Sequence, residues 1–182
     1  MIRHIAVVGL MGTGKTTIAT RIAAALGWSL RDSDVEIEAG QGRTVRQLRD
    51  EIGVDAMHEL EARQLLEALA DAAPSVVCPA ASIADVDLCL EALVDPSVAV
   101  VFLTADPATA AARFRSGEHR PWYGDDPAVF LAQQAAVRHP RFRSVHPIEI
   151  ATDGRSPAEI AGIALAELAA RSGDPCQTWP IR

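Results

Sequence analysis

The sequence predicts an α/β fold in which a central five-stranded parallel sheet lies between two layers of helices. Five short apolar runs are typical of strands buried on both faces, and they lie at residues 5–8, 29–30, 75–78, 98–103 and 148–150. Segments with helical periodicity separate these runs. Because alternating strands and helices give parallel strand pairs, we expect three layers, with ligands bound at the carboxyl ends of the strands.

Local signals mark where several helices begin. A capping side chain precedes a proline at residues 106–107, 126–127 and 156–157, and proline is favoured at the first position of a helix. Thr44 and Gln47 have the spacing of a capping box. These signals predict helices that start at defined points of the chain.

The most informative motif is the run GLMGTGKT at residues 9–16, which matches the phosphate-binding pattern G-x-x-x-x-G-K-[ST]. It follows the first apolar run and precedes a helix predicted over residues 16–26. The backbone N–H groups of such a loop and the positive end of the helix surround phosphates. Lys15, the only lysine in the chain, would neutralise them, and the Thr16 hydroxyl would be a ligand of Mg²⁺. The motif therefore predicts nucleotide binding.

Chain length limits the number of domains. A chain of 182 residues can build one full core but is short for two ordinary domains. We expect a single domain over residues 1–171 and a C-terminal tail over residues 172–182. Within the domain we predict an acceptor-binding subregion at about residues 32–62 and a mobile lid at about residues 114–127.

Charge and hydrophobicity restrict the possible partners. The formal net charge of −7 argues against a nucleic-acid partner. No apolar stretch approaches the length of a bilayer span, so we expect no membrane segment and a cytoplasmic protein. We further expect a monomer or a weak dimer. Cys78, Cys89 and Cys176 lack metal-like spacing and are interpreted as buried or incidental thiols.

Two carboxylates follow the second apolar run. Asp32 and Asp34 have a spacing of two, which in an extended chain places the side chains on opposite sides of the backbone. One carboxylate can then face a metal ion and the other a substrate. Their position at the carboxyl end of a strand favours this functional interpretation over a solvated acidic turn.

Two further groups of residues are less specific. Seven arginines lie between residues 113 and 155, beside a loop at residues 117–127 that contains glycine and proline. Such a loop can bring an arginine to a transferring phosphate, although most of the seven are expected to be solvated. His58 and Glu61 share a face of a predicted helix, and we predict a surface pair there rather than a metal site.

Together these elements resemble the shikimate kinases, small phosphate-loop enzymes that pass the γ-phosphate of ATP to a hydroxyl of shikimate. The likeness runs through most of the chain and includes the loop GLMGTGKTT, the D-x-D at residues 32–34, the Arg-Pro pair at residues 120–121 and the run RHPRF at residues 138–142. The resemblance implies catalytic roles for Lys15, Asp34 and Arg120, and Mg²⁺ binding by Thr16 and Asp32. The ATP-binding residues that it implies are Gly12, Thr13, Gly14, Lys15, Thr16, Thr17, Arg113 and Arg155.

The part of the sequence that corresponds to the acceptor pocket departs from this family. His58 stands where the family has a second carboxylate-binding arginine, and Ala80, Ala81 and Ser82 stand at the positions of three glycines. The pocket therefore lacks one arginine that could bind an acceptor carboxylate through two hydrogen bonds, and its backbone cannot approach the acceptor as closely as a glycine backbone would. The acceptor-binding residues implied by the resemblance are Asp34, His58, Ala80, Ala81 and Arg138.

The leading hypothesis is an ATP- and Mg²⁺-dependent phosphotransferase of the shikimate kinase-like group. It would act on a hydroxyl of a small acidic acceptor other than shikimate. Two alternatives stay open: a genuine shikimate kinase, and a non-catalytic nucleotide-binding protein whose nucleotide occupancy is sensed by a partner. A nucleotide or nucleoside kinase shares the expected fold but matches the D-x-D and R-x-P elements less well.

Overall fold

The structure is a computed structural model that describes residues 1–113 and 126–172. Most of the lid predicted over residues 114–127 and nearly all of the tail predicted over residues 172–182 lie outside the described residues. The two predictions on these segments therefore stay predictions.

The five strands form a single parallel sheet in the order β2-β3-β1-β4-β5. They are β1 (His4–Gly9), β2 (Ser29–Asp32), β3 (Ser75–Cys78), β4 (Val98–Thr104) and β5 (Ile148–Ala151). The predicted parallel sheet is confirmed. The second strand extends two residues beyond the predicted run at residues 29–30, to Asp32. This extension brings the first of the two aspartates to the end of a strand.

Eight α-helices and one 3₁₀ helix are present in the described residues. The α-helices are α1 (Lys15–Leu26), α2 (Ser33–Gln41), α3 (Val45–Ile52), α4 (Val54–Ala70), α5 (Asp87–Leu93), α6 (Pro107–Arg113), α7 (Pro127–Arg143) and α8 (Pro157–Ser172). The 3₁₀ helix covers Ala81–Asp85 and follows β3 after a short loop.

Each face of the sheet has its own core, as strand alternation requires. Ile5 and Val7 of β1 face α1 and α8, whereas Ala6 and Val8 face α4, α5, α7 and the 3₁₀ helix. Phe102 on β4 is fully buried on the second face. This arrangement gives the predicted three layers.

The local signals act at the predicted helix ends. The Thr44 hydroxyl accepts a hydrogen bond from the Gln47 N–H, and the Gln47 side chain accepts from the Thr44 N–H, which completes the capping box of α3. Asp126 accepts from the first free N–H groups of α7. Gly27, with φ 66°, ends α1.

A small apolar cluster holds α2, α3 and α4 together at one end of the sheet. Ile37, Val45, Leu48 and Met57 form this cluster. It fixes α3 against α4 and so determines which side chains of these helices face the cleft described below.

No helix in residues 1–113 or 126–172 is long and apolar enough to cross a bilayer.

Candidate active site

A cleft of about 760 Å³ lies at the carboxyl ends of β1, β2 and β3. The predicted site residues that line it are Gly12, Thr13, Gly14, Lys15, Thr16, Thr17, Asp32, Asp34, His58, Ala80, Ala81, Arg113, Arg138 and Arg155. Arg120 lies outside the described residues. The cleft is of the size that a small-molecule site requires, and its place in the sheet is the one expected for open α/β folds.

The phosphate-binding loop leads directly into α1. Gly14 precedes the helix with φ 90°, and no side chain caps the first N–H groups of α1. These donors therefore remain for an anion, which the positive end of the helix also favours. The Thr13 hydroxyl donates to the carbonyl oxygen of Leu10 at 2.8 Å, and Lys15 Nζ lies 3.4 Å from the same oxygen. The loop thus has the geometry of a phosphate cradle.

Gly12 is required for packing as well as for its backbone angle. Its φ is 77°, and an added Cβ would lie 2.2 Å from the carbonyl oxygen of Ala110 in α6. At Gly14, with φ 90°, an added Cβ would meet nothing within 4 Å. Of these two glycines, only Gly12 therefore lets α6 approach the loop closely.

We predict that Gly12→Ala destabilises the protein more than Gly14→Ala does. Both substitutions place a Cβ on a positive-φ residue, but only the first also forces backbone apart, which costs about 1–3 kcal/mol more. The free energy of unfolding from urea titration checks this difference. Equal losses in the two variants would contradict the packing role of Gly12.

Thr16 and Asp32 present two oxygen ligands to one point of the cleft. Thr16 Oγ1 donates to Asp32 Oδ2 at 3.0 Å, and Asp32 is buried. Mg²⁺ prefers oxygen ligands and usually keeps waters and phosphate oxygens in its shell, so two protein side chains fit this ion. The described residues hold no group of three or more His, Cys, Asp or Glu side chains that would make a protein-only metal site.

The prediction of an extended chain at residues 32–34 is wrong. α2 begins at Ser33, with Asp32 as its N-cap and Asp34 in its first turn. Asp32 Oδ1 accepts from the Asp34 N–H at 3.1 Å, and this capping bond replaces the extended geometry. Both carboxylates still line the cleft.

Two arginines line the side of the cleft formed by α6 and the segment after β5. Arg113, the last residue of α6, donates to the Thr152 hydroxyl at 2.8 Å and to the Thr152 carbonyl oxygen at 3.2 Å. Arg155 donates to the carbonyl oxygen of Ala151. The two guanidinium groups are thus held against the backbone at the end of β5 and directly after it.

The opposite end of the cleft is formed by α2, α3, α4, α7 and the 3₁₀ helix, and we call it the α4 end. Arg138 of α7 pairs there with Asp85 through Nε, 3.1 Å from each carboxylate oxygen. Its side chain is only 13% exposed.

Ala80 has φ −61°, an ordinary backbone angle, and the 3₁₀ helix begins directly after it. The backbone at this position therefore does not require glycine.

Sequence reasoning missed several residues that line the α4 end. They are Val45, Arg49, Val54, Glu61 and Gln134. Arg49 is half-buried on α3, four residues after Val45. Only the packing of α3 on α4 brings it to the cleft.

Glu61 corrects a prediction. It was expected to form a surface pair with His58, but it is 8% exposed and accepts a hydrogen bond from the Ser82 hydroxyl. The sequence does hold a signal for this burial, because Glu61 lies four residues after Met57 and four before Leu65, both fully buried. The buried apolar residues on either side of Glu61, and not the charge of its side chain, indicate that this face of α4 is buried.

Burial is the main influence on the ionisation of Glu61. It raises the pKa of this carboxyl from 4.5 to about 7. The hydrogen bond from Ser82 opposes the rise, and the charge of Asp34 adds to it. Glu61 is therefore close to half-protonated at neutral pH.

We predict that Glu61→Gln removes a pH dependence of stability. A carboxyl whose pKa is raised on folding stabilises the protein fully below about pH 4.5, and this contribution is lost as pH rises through 7. The stability of Glu61→Gln relative to the wild type should therefore increase from pH 5 to pH 8, by about 1–3 kcal/mol. Urea unfolding at both pH values measures it, with exposed Glu59→Gln as the control. A difference that stays constant with pH would contradict burial of the carboxyl.

The comparisons with known proteins agree with this geometry. A family model described as shikimate kinase matches residues 11–169. The chain is 34% identical over 141 residues to a shikimate kinase of Caulobacter vibrioides, covering 77% of this chain and 70% of that protein. It is 33% identical over 162 residues to a shikimate kinase of Rhodococcus erythropolis, covering 88% and 94%.

Solved structures extend the likeness to the fold. The structure of a shikimate kinase from Acinetobacter baumannii in complex with shikimate matches with a TM-score of 0.88 and 25% identity, covering 96% of this chain and 97% of that one. A gluconokinase from Sinorhizobium meliloti matches at 23% identity with a TM-score of 0.64, which shows a shared fold. By the extent of the family match and the identity to these relatives, the chain belongs to the shikimate kinase family and is an ATP-dependent small-molecule kinase.

Proposed function

We propose that the protein transfers the γ-phosphate of Mg-ATP to a hydroxyl of a small acidic acceptor bound at the α4 end. One observation carries this proposal: a single cleft joins the phosphate-binding loop to a carboxylate, Asp34, and to an arginine, Arg138. Phosphoryl transfer needs a phosphate cradle and an oriented hydroxyl within one site. Membership of a kinase family favours this proposal over the non-catalytic alternative.

Each part of the cleft has a distinct task in this proposal. The N–H groups at the start of α1 and the ammonium of Lys15 bind the phosphates and stabilise the charge that spreads over the moving group. Asp34 orients the acceptor hydroxyl and takes its proton. Thr16 and Asp32 would hold Mg²⁺, which would supply further positive charge. Arg120, outside the described residues, is proposed to act on the transferring phosphate by resemblance to the family.

The second candidate is phosphorylation of shikimate itself. The relatives at 31–34% identity that are named shikimate kinase favour it. His58 and the sequence Ala80-Ala81-Ser82 favour a different acid, because the guanidinium and glycines that the family has at these positions are replaced. The pKa of His58 is lowered, first by burial and then by the charge of Arg138, which favours the neutral imidazole, whereas a guanidinium is permanently charged.

ADP release separates these candidates. The purified protein is incubated with Mg-ATP at pH 7.5, with and without saturating shikimate, and then with a panel of other hydroxylated acids of similar size. Acceleration by shikimate identifies it as the acceptor, whereas acceleration by another acid alone supports the altered pocket. If no hydroxylated acid accelerates ADP release although ATP binds, the proposed function is wrong.

A further inference from the structure

Among the described residues, Arg138 is the cation at the α4 end to which the resemblance to the family assigns an acidic acceptor. Arg138 lies mostly out of solvent and its Nε contacts both oxygens of Asp85, so much of its charge is already compensated. The same end of the cleft also holds the carboxyl groups of Asp34 and Glu61. A carboxylate that leaves water for this environment needs a further cation, because an uncompensated buried anion is unfavourable.

Arg49 is placed to supply that cation. It lies half-buried on α3, where Val45 and Leu48 are buried and hold the helix against Met57 of α4. Arg49 and His58 both line the cleft. Burial lowers the pKa of His58 most; the charges of Arg138 and Arg49 lower it further, and those of Asp85 and Asp55 oppose this, so both guanidinium groups act on this imidazole.

Ser82 is consistent with this arrangement. Its hydroxyl donates to Glu61, which is buried one helical turn after His58 on α4. The carboxyl of Glu61 thus has a neutral partner within the protein and does not depend on a cation at position 58. Arg49 and Arg138 are then the charged groups at this end that suit an anionic acceptor.

We propose that Arg49 is a specificity-determining residue that binds the carboxylate of the acceptor together with Arg138, beside His58. This inference rests on the proposed function, since it concerns the same acceptor. It places the acidic group of the acceptor at α3, on a helix from which the resemblance to the family assigns no binding residue. The guanidinium offers two parallel donors to a carboxylate, which an ammonium or imidazole does not.

The test compares an acid with its uncharged ester. Turnover with shikimate and with its methyl ester, which keeps the ring and the hydroxyls, is measured for the wild type, Arg49→Gln and Arg46→Gln. Arg46 is an exposed arginine of the same helix and serves as the matched control. We expect the wild type to prefer the acid in kcat/KM by about 10- to 100-fold, because a hydrogen bond to a charged group has this effect.

Arg49→Gln should lose most of this preference, mainly through a higher KM for the acid, with the KM for ATP unchanged. Arg46→Gln should keep it, and Arg49→Lys should restore part of it. A wild-type preference retained by Arg49→Gln overturns the inference.

If the wild type turns over neither shikimate nor its methyl ester, the panel of hydroxylated acids described above tests the proposed function separately. In that case calorimetry measures shikimate binding to the wild type and to Arg49→Gln in the presence of ADP. Weaker binding by Arg49→Gln supports the inference. Equal affinities, including no binding to either protein, overturn it.

Discussion

Replacing Lys15 with methionine abolishes phosphoryl transfer while the protein stays folded. Methionine has a similar length but no charge, so the loop loses the ammonium at the start of α1 that is proposed to bind the phosphates. Removal of one such preorganised group lowers kcat by about 100- to 1,000-fold or more. Steady-state ADP release at saturating ATP and acceptor measures the loss.

Arg21→Met is the matched control for Lys15→Met. Arg21 is an exposed cation on the same helix and does not line the cleft. Both variants should have the thermal unfolding midpoint of the wild type within a few degrees, and only Lys15→Met should lose activity. Full turnover by Lys15→Met would refute the role given to the loop.

Replacing Asp34 with asparagine removes catalysis but preserves nucleotide binding. Asparagine keeps the size of the side chain and one hydrogen-bond acceptor, but it cannot take the proton of the attacking hydroxyl. General-base catalysis contributes about 100- to 10,000-fold, so kcat should fall by this range. The Kd for ADP should stay unchanged, because phosphate binding by the loop does not involve Asp34.

Asp55→Asn provides the control for Asp34→Asn. Asp55 lies in the first turn of α4, as Asp34 lies in the first turn of α2, but it is exposed and does not line the cleft. Its replacement should leave kcat unchanged. If Asp34→Asn retained full kcat, or lost only its affinity for ADP, the hydroxyl would be activated by another group.

The parts of the fold that are determined by neighbouring residues could be predicted from the sequence. Apolar runs located all five strands, and the capping pairs located the starts of α3 and α7. The phosphate-binding loop is a contiguous motif, so its place between β1 and α1 was predictable as well. Prediction failed at residues 32–34, because Asp32 caps a helix that starts one residue after the strand.

The α4 end could be predicted only in part, because distant segments form it. Arg49 reaches the cleft through packing of α3 on α4, and the hydrogen-bond partner of Glu61, Ser82, lies on the 3₁₀ helix. The pairing of Arg138 with Asp85 joins residues 53 positions apart in the chain. Hydrophobic periodicity and motif spacing describe single segments, so they do not report such contacts.

The central claim is that the γ-phosphate of ATP is transferred to an acceptor hydroxyl at the α4 end. ³¹P NMR of the wild type with Mg-ATP and a saturating acceptor, beginning with shikimate and continuing through the acid panel, tests this claim directly. We predict that a new phosphomonoester resonance grows in step with ADP for at least one acceptor and is absent with Lys15→Met. Formation of ADP with inorganic phosphate alone, for every acceptor tested, would contradict the claim.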